Sequence, residues 1–222
     1  MGCIIYENLW EKDKHENENQ EMIYMDKILN KIMRFISEND DNMDEEESEV
    51  IRYGLEILLI KISFFTAALI IGAIMQSFLE CLIFITLFSL IRTTAGGYHA
   101  ETRMQCFISS MSIFAVSLGI IKLVSTYGYI LIPLSILSVL SILIIWRLAP
   151  VDTENKRLDA TEKQKFQKRT RVIILIEILI AVTTYLMNIE SVAAAAMLAL
   201  IITSVLVLTG LLKNKKERSK YE

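Results

Sequence analysis

Long apolar runs constrain this chain more than any other feature, because a run of about 20 residues is what a helix needs to cross the hydrocarbon core of a bilayer. Six such segments follow one another at 55–75, 77–92, 106–125, 127–147, 172–188 and 191–212, the second of them short and the fifth marginal. Of 222 residues, 53% are hydrophobic, yet only two are proline and eight glycine, so little punctuates the runs. A soluble domain can be as apolar inside without stringing its apolar residues together in this way. The expected fold is therefore all-α, a polytopic membrane helical bundle of about six transmembrane helices with an amphipathic helix ahead of them.

Charge is a second, independent reading of the same topology. The net charge of −3 conceals a segregation, with acid concentrated before residue 57 and base at Arg147 to Arg171 and Lys213 to Lys220. With the C-terminus cytoplasmic, six spans put the N-terminus, 93–105 and 148–171 on the cytoplasmic side. The connections near Gln76, Thr126 and Ile189, which hold no Lys or Arg, fall on the other, as the positive-inside rule requires. Four regions follow. Residues 1–21 are too polar to offset the entropy of ordering and form a mobile extension without a signal-peptide pattern. Residues 22–50 hold the amphipathic helix (Ile23, Ile28, Ile32, Phe35 and Ile36 with Lys27, Lys31 and Arg34 between) and an acidic linker. The transmembrane domain covers 51–212, and 213–222 form a basic cytoplasmic tail. Lys61, Lys122, Glu56, Glu80 and Glu177 lie in or near spans, where a charge costs at least about 2.5–3.5 kcal/mol, so they face the bundle interior or snorkel.

Chemistry concentrates in Arg92-Thr-Thr-Ala-Gly-Gly-Tyr-His-Ala-Glu-Thr-Arg-Met-Gln-Cys106, which interrupts the apolar pattern between the second and third spans. It contains one of two histidines and one of three cysteines, the latter where the next apolar run begins. Three cysteines without CxxC spacing argue against a disulfide framework, and Cys81, inside an apolar run, reads as a small core hydrophobe. A free thiol, with a pKa of about 8.5, needs a base or a positive environment to act as a nucleophile. His99 supplies a base for Cys106. On one straight helix their seven-residue separation would hold them about 10 Å apart, so the chain must bend or unwind between them. Gly96 and Gly97 relax the backbone at the N-terminal side. If Cys106 opens the third span, that helix's N-terminal dipole favours the thiolate. Glu101, Asp152 or Glu154 can orient the imidazole, and Gln105 or nearby amides can hold an oxyanion. Zinc is poorly served, and no metal or other cofactor is called for.

These residues resemble the accessory gene regulator B (AgrB) family. The resemblance rests on the Gly-Gly-Tyr-His-Ala core, the His-to-Cys spacing, Ala149-Pro150-Val151 with the basic loop after it, and the six spans, and it covers Met22 to Leu212. It implies a membrane-embedded cysteine endopeptidase of Gram-positive quorum sensing, multi-pass in the cell membrane, that removes the C-terminal part of an AgrD-like precursor peptide and assists (thio)lactone ring closure. Carried over, Cys106 is the nucleophile and His99 the general base. Arg92 either anchors the segment or holds the precursor's acidic tail, and Gly97 permits the backbone geometry. The basic loop with Lys163, Lys165, Lys168 and Arg169 enforces topology, binds anionic lipid or receives the acidic tail. The implied partners are the precursor, the lipid bilayer and a second copy of the chain; nothing calls for nucleic acid. Two other classes remain open on the residues alone, a non-catalytic peptide exporter and a membrane sensor or scaffold.

Overall fold

In lipid a backbone has no water to bond, so each spanning segment must satisfy its own amides, and a helix does so locally. The computed structural model describes residues 26–38, 44–98, 103–151 and 159–218. Among them are seven α-helices: α1 at 26–38, α2 (Glu45–Ile74), α3 (Phe78–Ala95), α4 (Arg103–Thr126), α5 (Leu131–Leu148), α6 (Ala160–Leu186) and α7 (Glu190–Arg218), with a 3-10 turn, Gly128–Ile130, leading into α5. The expected all-helical bundle is what forms. The chain divides into two units, Met1–Thr66 and Ala67–Glu222, with α2 running through the boundary.

In the first unit α1 is helical as expected, with Leu29 buried, Ile32 and Ile36 half-buried, and Ile28 and Phe35 of the expected apolar face exposed. Met22 and Ile23 lie outside the described residues. The end of the acidic stretch expected to be a linker is the start of α2. The Asp44 carboxylate accepts the Glu47 amide at 2.7 Å, an N-cap, and Glu46, Glu47 and Glu49 then sit at the positive end of the helix dipole.

In the second unit α7 is the central helix. It packs against α3, α4, α5 and α6, and 61% of its apolar stretch is buried, against 11–33% for the other apolar helices. Ala193, Ala194, Ala195 and Ala196 are fully buried; side chains this small let neighbouring backbones approach closely. On α5, Leu134, Ser138, Ser141 and Ile145 face inward, while Ile132, Ile136, Leu140 and Leu143 are each more than half exposed. Such a continuous apolar stripe on the outside, over an inside that holds serines, is stable against lipid and not against water. The inner serines are bonded: Ser204 Oγ of α7 donates to Ser141 Oγ at 2.9 Å.

Five helices, α2, α3, α4, α5 (with its 3-10 turn) and α7, are long and apolar enough to cross a membrane, and the chain is a membrane protein. The sixth expected span, 172–188, is the C-terminal part of α6 and falls short by composition, because Arg169, Arg171 and Glu177 lie within it or at its edge. It nonetheless runs the length of the bundle. At one end Arg171 lies over the Trp146 ring of α5, 4.9 Å from its centroid. At the other, a tight turn joins α6 to Glu190 of α7, whose carboxylate is next to Gly128.

The basic segment expected as a loop up to Arg171 is corrected by the structure: α6 begins at Ala160, so Lys163, Lys165, Lys168 and Arg169 are helical. Asp159 and Glu162 form a capping box there, with the Asp159 amide donating to Glu162 Oε2 at 3.4 Å. Thr161 Oγ1 donates to the Asp159 carboxylate at 2.9 Å, and this bond, with those from the backbone amides of Ala160 and Thr161, holds the carboxyl below its ordinary range. The Glu, Lys, Gln and Arg that follow are strong helix formers.

Candidate active site at the junction of α3 and α4

Helix α3 stops at Ala95 because Gly96 and Gly97 take φ of +69° and +114°, values that side-chain-bearing residues resist. The stop leaves carbonyls at the helix end without intrahelical partners. Arg92, in the last turn of α3, folds back and donates to the carbonyls of both Gly96 and Tyr98. The Val151 amide donates to the Ala95 carbonyl at 3.0 Å, and Gly96 pairs with Val151 in a parallel bridge. The Tyr98 amide donates to the Leu206 carbonyl of α7 at 2.8 Å. Lys213 Nζ stands 5.7 Å from the centroid of the Tyr98 ring. The turn after α3 is therefore held from three sides: by Arg92, by the segment after α5, and by α7.

Two glycines in this turn are there for space as well as for φ. A Cβ on Gly96 would strike the Val151 carbonyl, and one on Gly97 would sit 2.6 Å from the Leu206 oxygen. The sequence reading assigned them only conformational freedom.

Helix α4 begins at Arg103, so Cys106 falls at the end of its first turn, with its side chain exposed. Ser109 Oγ donates to the carbonyls of Gln105 at 2.6 Å and Cys106 at 3.1 Å. A charge on Cys106 is felt by the Arg92 guanidinium through space. Arg92, Gly96, Gly97 and Cys106 are thus brought to one end of the bundle, and the backbone leaves the helix at Gly96–Tyr98. His99 and Glu101 lie outside the described residues, as do Asp152 and Glu154. Gln105 is exposed beside Cys106. Lys163, Lys165, Lys168 and Arg169 are exposed on the first turns of α6. Leu206 and Gly210 were not singled out by the sequence, although Gly210 is a glycine inside the last apolar run; Tyr98 and Val151 entered only as members of the Gly-Gly-Tyr-His-Ala core and the Ala-Pro-Val triplet, and Lys213 only as the start of the basic tail.

Fold and site together define a helical integral membrane protein with an exposed thiol on the first turn of a spanning helix, beside an arginine-braced glycine turn at the bundle's end. The particular family follows from comparison. Residues 29–209 match the family described as Accessory gene regulator B, and the chain belongs to it. It is 28% identical over 156 residues to Putative AgrB-like protein 2 of Clostridium perfringens, covering 67% of this chain and 72% of that one. It is 27% identical over 165 residues to Accessory gene regulator protein B of Staphylococcus aureus, covering 74% and 84%. A Putative AgrB-like protein of Listeria innocua is 28% identical over 134 residues, covering 59% and 62%. No solved structure matches. The family membership places the chain in accessory gene regulation.

Proposed function

We propose that the chain is a membrane-embedded cysteine endopeptidase that cuts the C-terminal part from an AgrD-like precursor peptide through a thioester intermediate and assists (thio)lactone closure. The observation that carries this reading is the exposed Cys106 thiol at the start of α4, within electrostatic reach of the arginine that ties down the turn leading to His99.

Cys106 gives up its proton to His99, and its sulfur adds to the scissile carbonyl. A C–S bond forms, the C–N bond breaks, and the imidazolium returns the proton to the leaving amine. The N-terminal fragment is then a thioester on Cys106. A thiol or hydroxyl within that fragment attacks the thioester carbonyl, closes the ring and releases Cys106. Thioester exchange is nearly balanced in energy, so hydrolysis is the competing loss, and a site at the membrane boundary suppresses it by excluding water. The role of Arg92 is to anchor the turn, since both its bonds go to backbone carbonyls. The cationic first turns of α6 and Lys213 of α7 suit an acidic precursor tail.

The test is cleavage and product mass in proteoliposomes holding the full chain and the precursor peptide. Cys106→Ala abolishes cleavage and the thioester adduct. His99→Ala lowers the rate by about 10²–10⁴-fold, with insertion unchanged in both. Undiminished cleavage in Cys106→Ala overturns the reading.

A further inference from the structure

Helix α7 lies far along the chain from the His–Cys segment, yet its backbone is in direct contact with the turn that leads to His99. Gly210 is buried, and a Cβ built on it would lie 2.6 Å from the Gly97 carbonyl carbon, 2.6 Å from the Tyr98 nitrogen and 2.8 Å from Gly97 Cα. All three are backbone atoms, which cannot swing aside as a flexible side chain can. From the other direction, a Cβ on Gly97 would lie 2.6 Å from the Leu206 oxygen and 3.1 Å from the Val207 nitrogen. The two glycines thus face one another across a backbone-to-backbone contact, and the Tyr98 amide uses it to reach the Leu206 carbonyl at 2.8 Å. Leu206 and Gly210 are four residues apart and share one face of α7. The missing side chain at 210 is what opens that face to the turn.

Other glycines show that this is not a general feature of the chain. Gly119 of α4 has nothing within 4 Å of its added Cβ, so its replacement by alanine has room and gains helix propensity.

We infer that Gly210 is a positioning residue of the active site: α7 holds the peptide at Gly97–Tyr98 through Gly210 and the Leu206 carbonyl, and so sets where the neighbouring His99 meets Cys106. This rests on the His99–Cys106 reading above. A methyl group at 210 pushes the turn off α7, breaks the Tyr98–Leu206 hydrogen bond and disengages the imidazole while leaving the rest of the bundle packed.

The full chain in lipid nanodiscs tests this with two readouts that need no substrate. Amide hydrogen exchange at Tyr98 reports the clamp, and the pH profile of Cys106 alkylation by iodoacetamide, read by peptide mass, reports the His–Cys pair. In Gly210→Ala, Tyr98 exchange accelerates roughly tenfold, the size of one net backbone hydrogen bond, and the alkylation profile moves to that of His99→Ala. Exchange over the buried Ala193–Leu200 stretch stays slow, and Gly119→Ala behaves as wild type in both. Unchanged exchange at Tyr98 overturns the proposal, as does accelerated exchange with a wild-type alkylation profile. If His99→Ala itself leaves the profile of the wild-type chain unaltered, the His–Cys reading fails and takes the proposal with it; accelerated Tyr98 exchange in Gly210→Ala still identifies that case. Should Gly210→Ala not insert, Tyr98→Pro, which removes the amide donor without adding an atom to α7, is read by the alkylation profile alone: movement to that of His99→Ala is expected, and a wild-type profile overturns the proposal.

Discussion

Glu177 and the two described cysteines show how far single residues depend on what surrounds them. Glu177 is wholly buried on α6, and neither carboxylate oxygen has a hydrogen-bond partner. Its neighbours in sequence, Ile174 and Ile178, belong to the apolar cluster formed with Ile91, Ile145, Leu200 and Val207. An unsatisfied polar group in such a place is a net cost, whereas an apolar side chain of similar shape is not. Glu177→Met is therefore expected to stabilise the bundle by roughly 1–3 kcal/mol, read as a raised thermal midpoint in detergent. A lowered midpoint would show that the carboxyl has a bonded role, and loss of precursor cleavage at a raised midpoint would mark it as functional. Cys81 is buried, and its thiol donates to the Ala68 carbonyl at 3.3 Å, while Cys106 is exposed. That contrast was legible beforehand, because one cysteine sits within an apolar run and the other at its polar edge.

Among the elements, the tight connections are built alike. After α2 the Ser77 amide bonds to the Gly72 carbonyl at 2.9 Å and that of Gln76 to Ala73 at 3.0 Å; after α6 the Ile189 amide bonds to Thr184 at 2.9 Å and that of Asn188 to Tyr185 at 3.0 Å. With Gln76 at φ +54° and Asn188 at φ +58°, both are Schellman caps, which satisfy the last carbonyls of a helix through one left-handed residue. Asparagine tolerates that conformation better than glutamine. Gln76→Gly is expected to stabilise the protein by roughly 0.5–1 kcal/mol, measured by thermal unfolding in detergent, and no gain would mean that the turn pays no strain at this position. The early start of α6 was in principle readable from Asp159 and Glu162, a capping-box spacing. Charge alone does not mark a loop here, because lysine, glutamate, glutamine and arginine are all good helix formers.

For the molecule as a whole, charge and packing agree on two ends for the larger unit. Arg92, Arg147, Arg171 and Lys213 come from four helices, and the contacts of Arg92 with Tyr98, Tyr98 with Lys213, and Arg171 with Trp146 place them toward one end. The turns at Gln76, Gly128 and Asn188 carry no basic residue. The expected orientation puts the basic end in the cytoplasm. Single cysteines introduced in a cysteine-free background test it: one at Asn188 reacts with a membrane-impermeant maleimide in intact cells, and one at Lys215 reacts only after permeabilisation. The reverse pattern overturns the orientation, and labelling of both from outside would mean that α7 does not cross.

Hydrophobic run length and charge placement determined the all-helical membrane class and the approximate spans, because the cost of putting polar groups into lipid is paid locally, residue by residue. The scarcity of histidine, cysteine and paired glycine likewise marked 92–106 as the candidate segment for chemistry before any contact was known. Only the tertiary structure decided that α7 lies at the centre, that Arg92 braces a turn, and that Val151, Leu206 and Gly210 close in on the glycines. Those are contacts between backbones far apart in the chain, and a sequence pattern records which residues are small without recording what comes close enough to need them small.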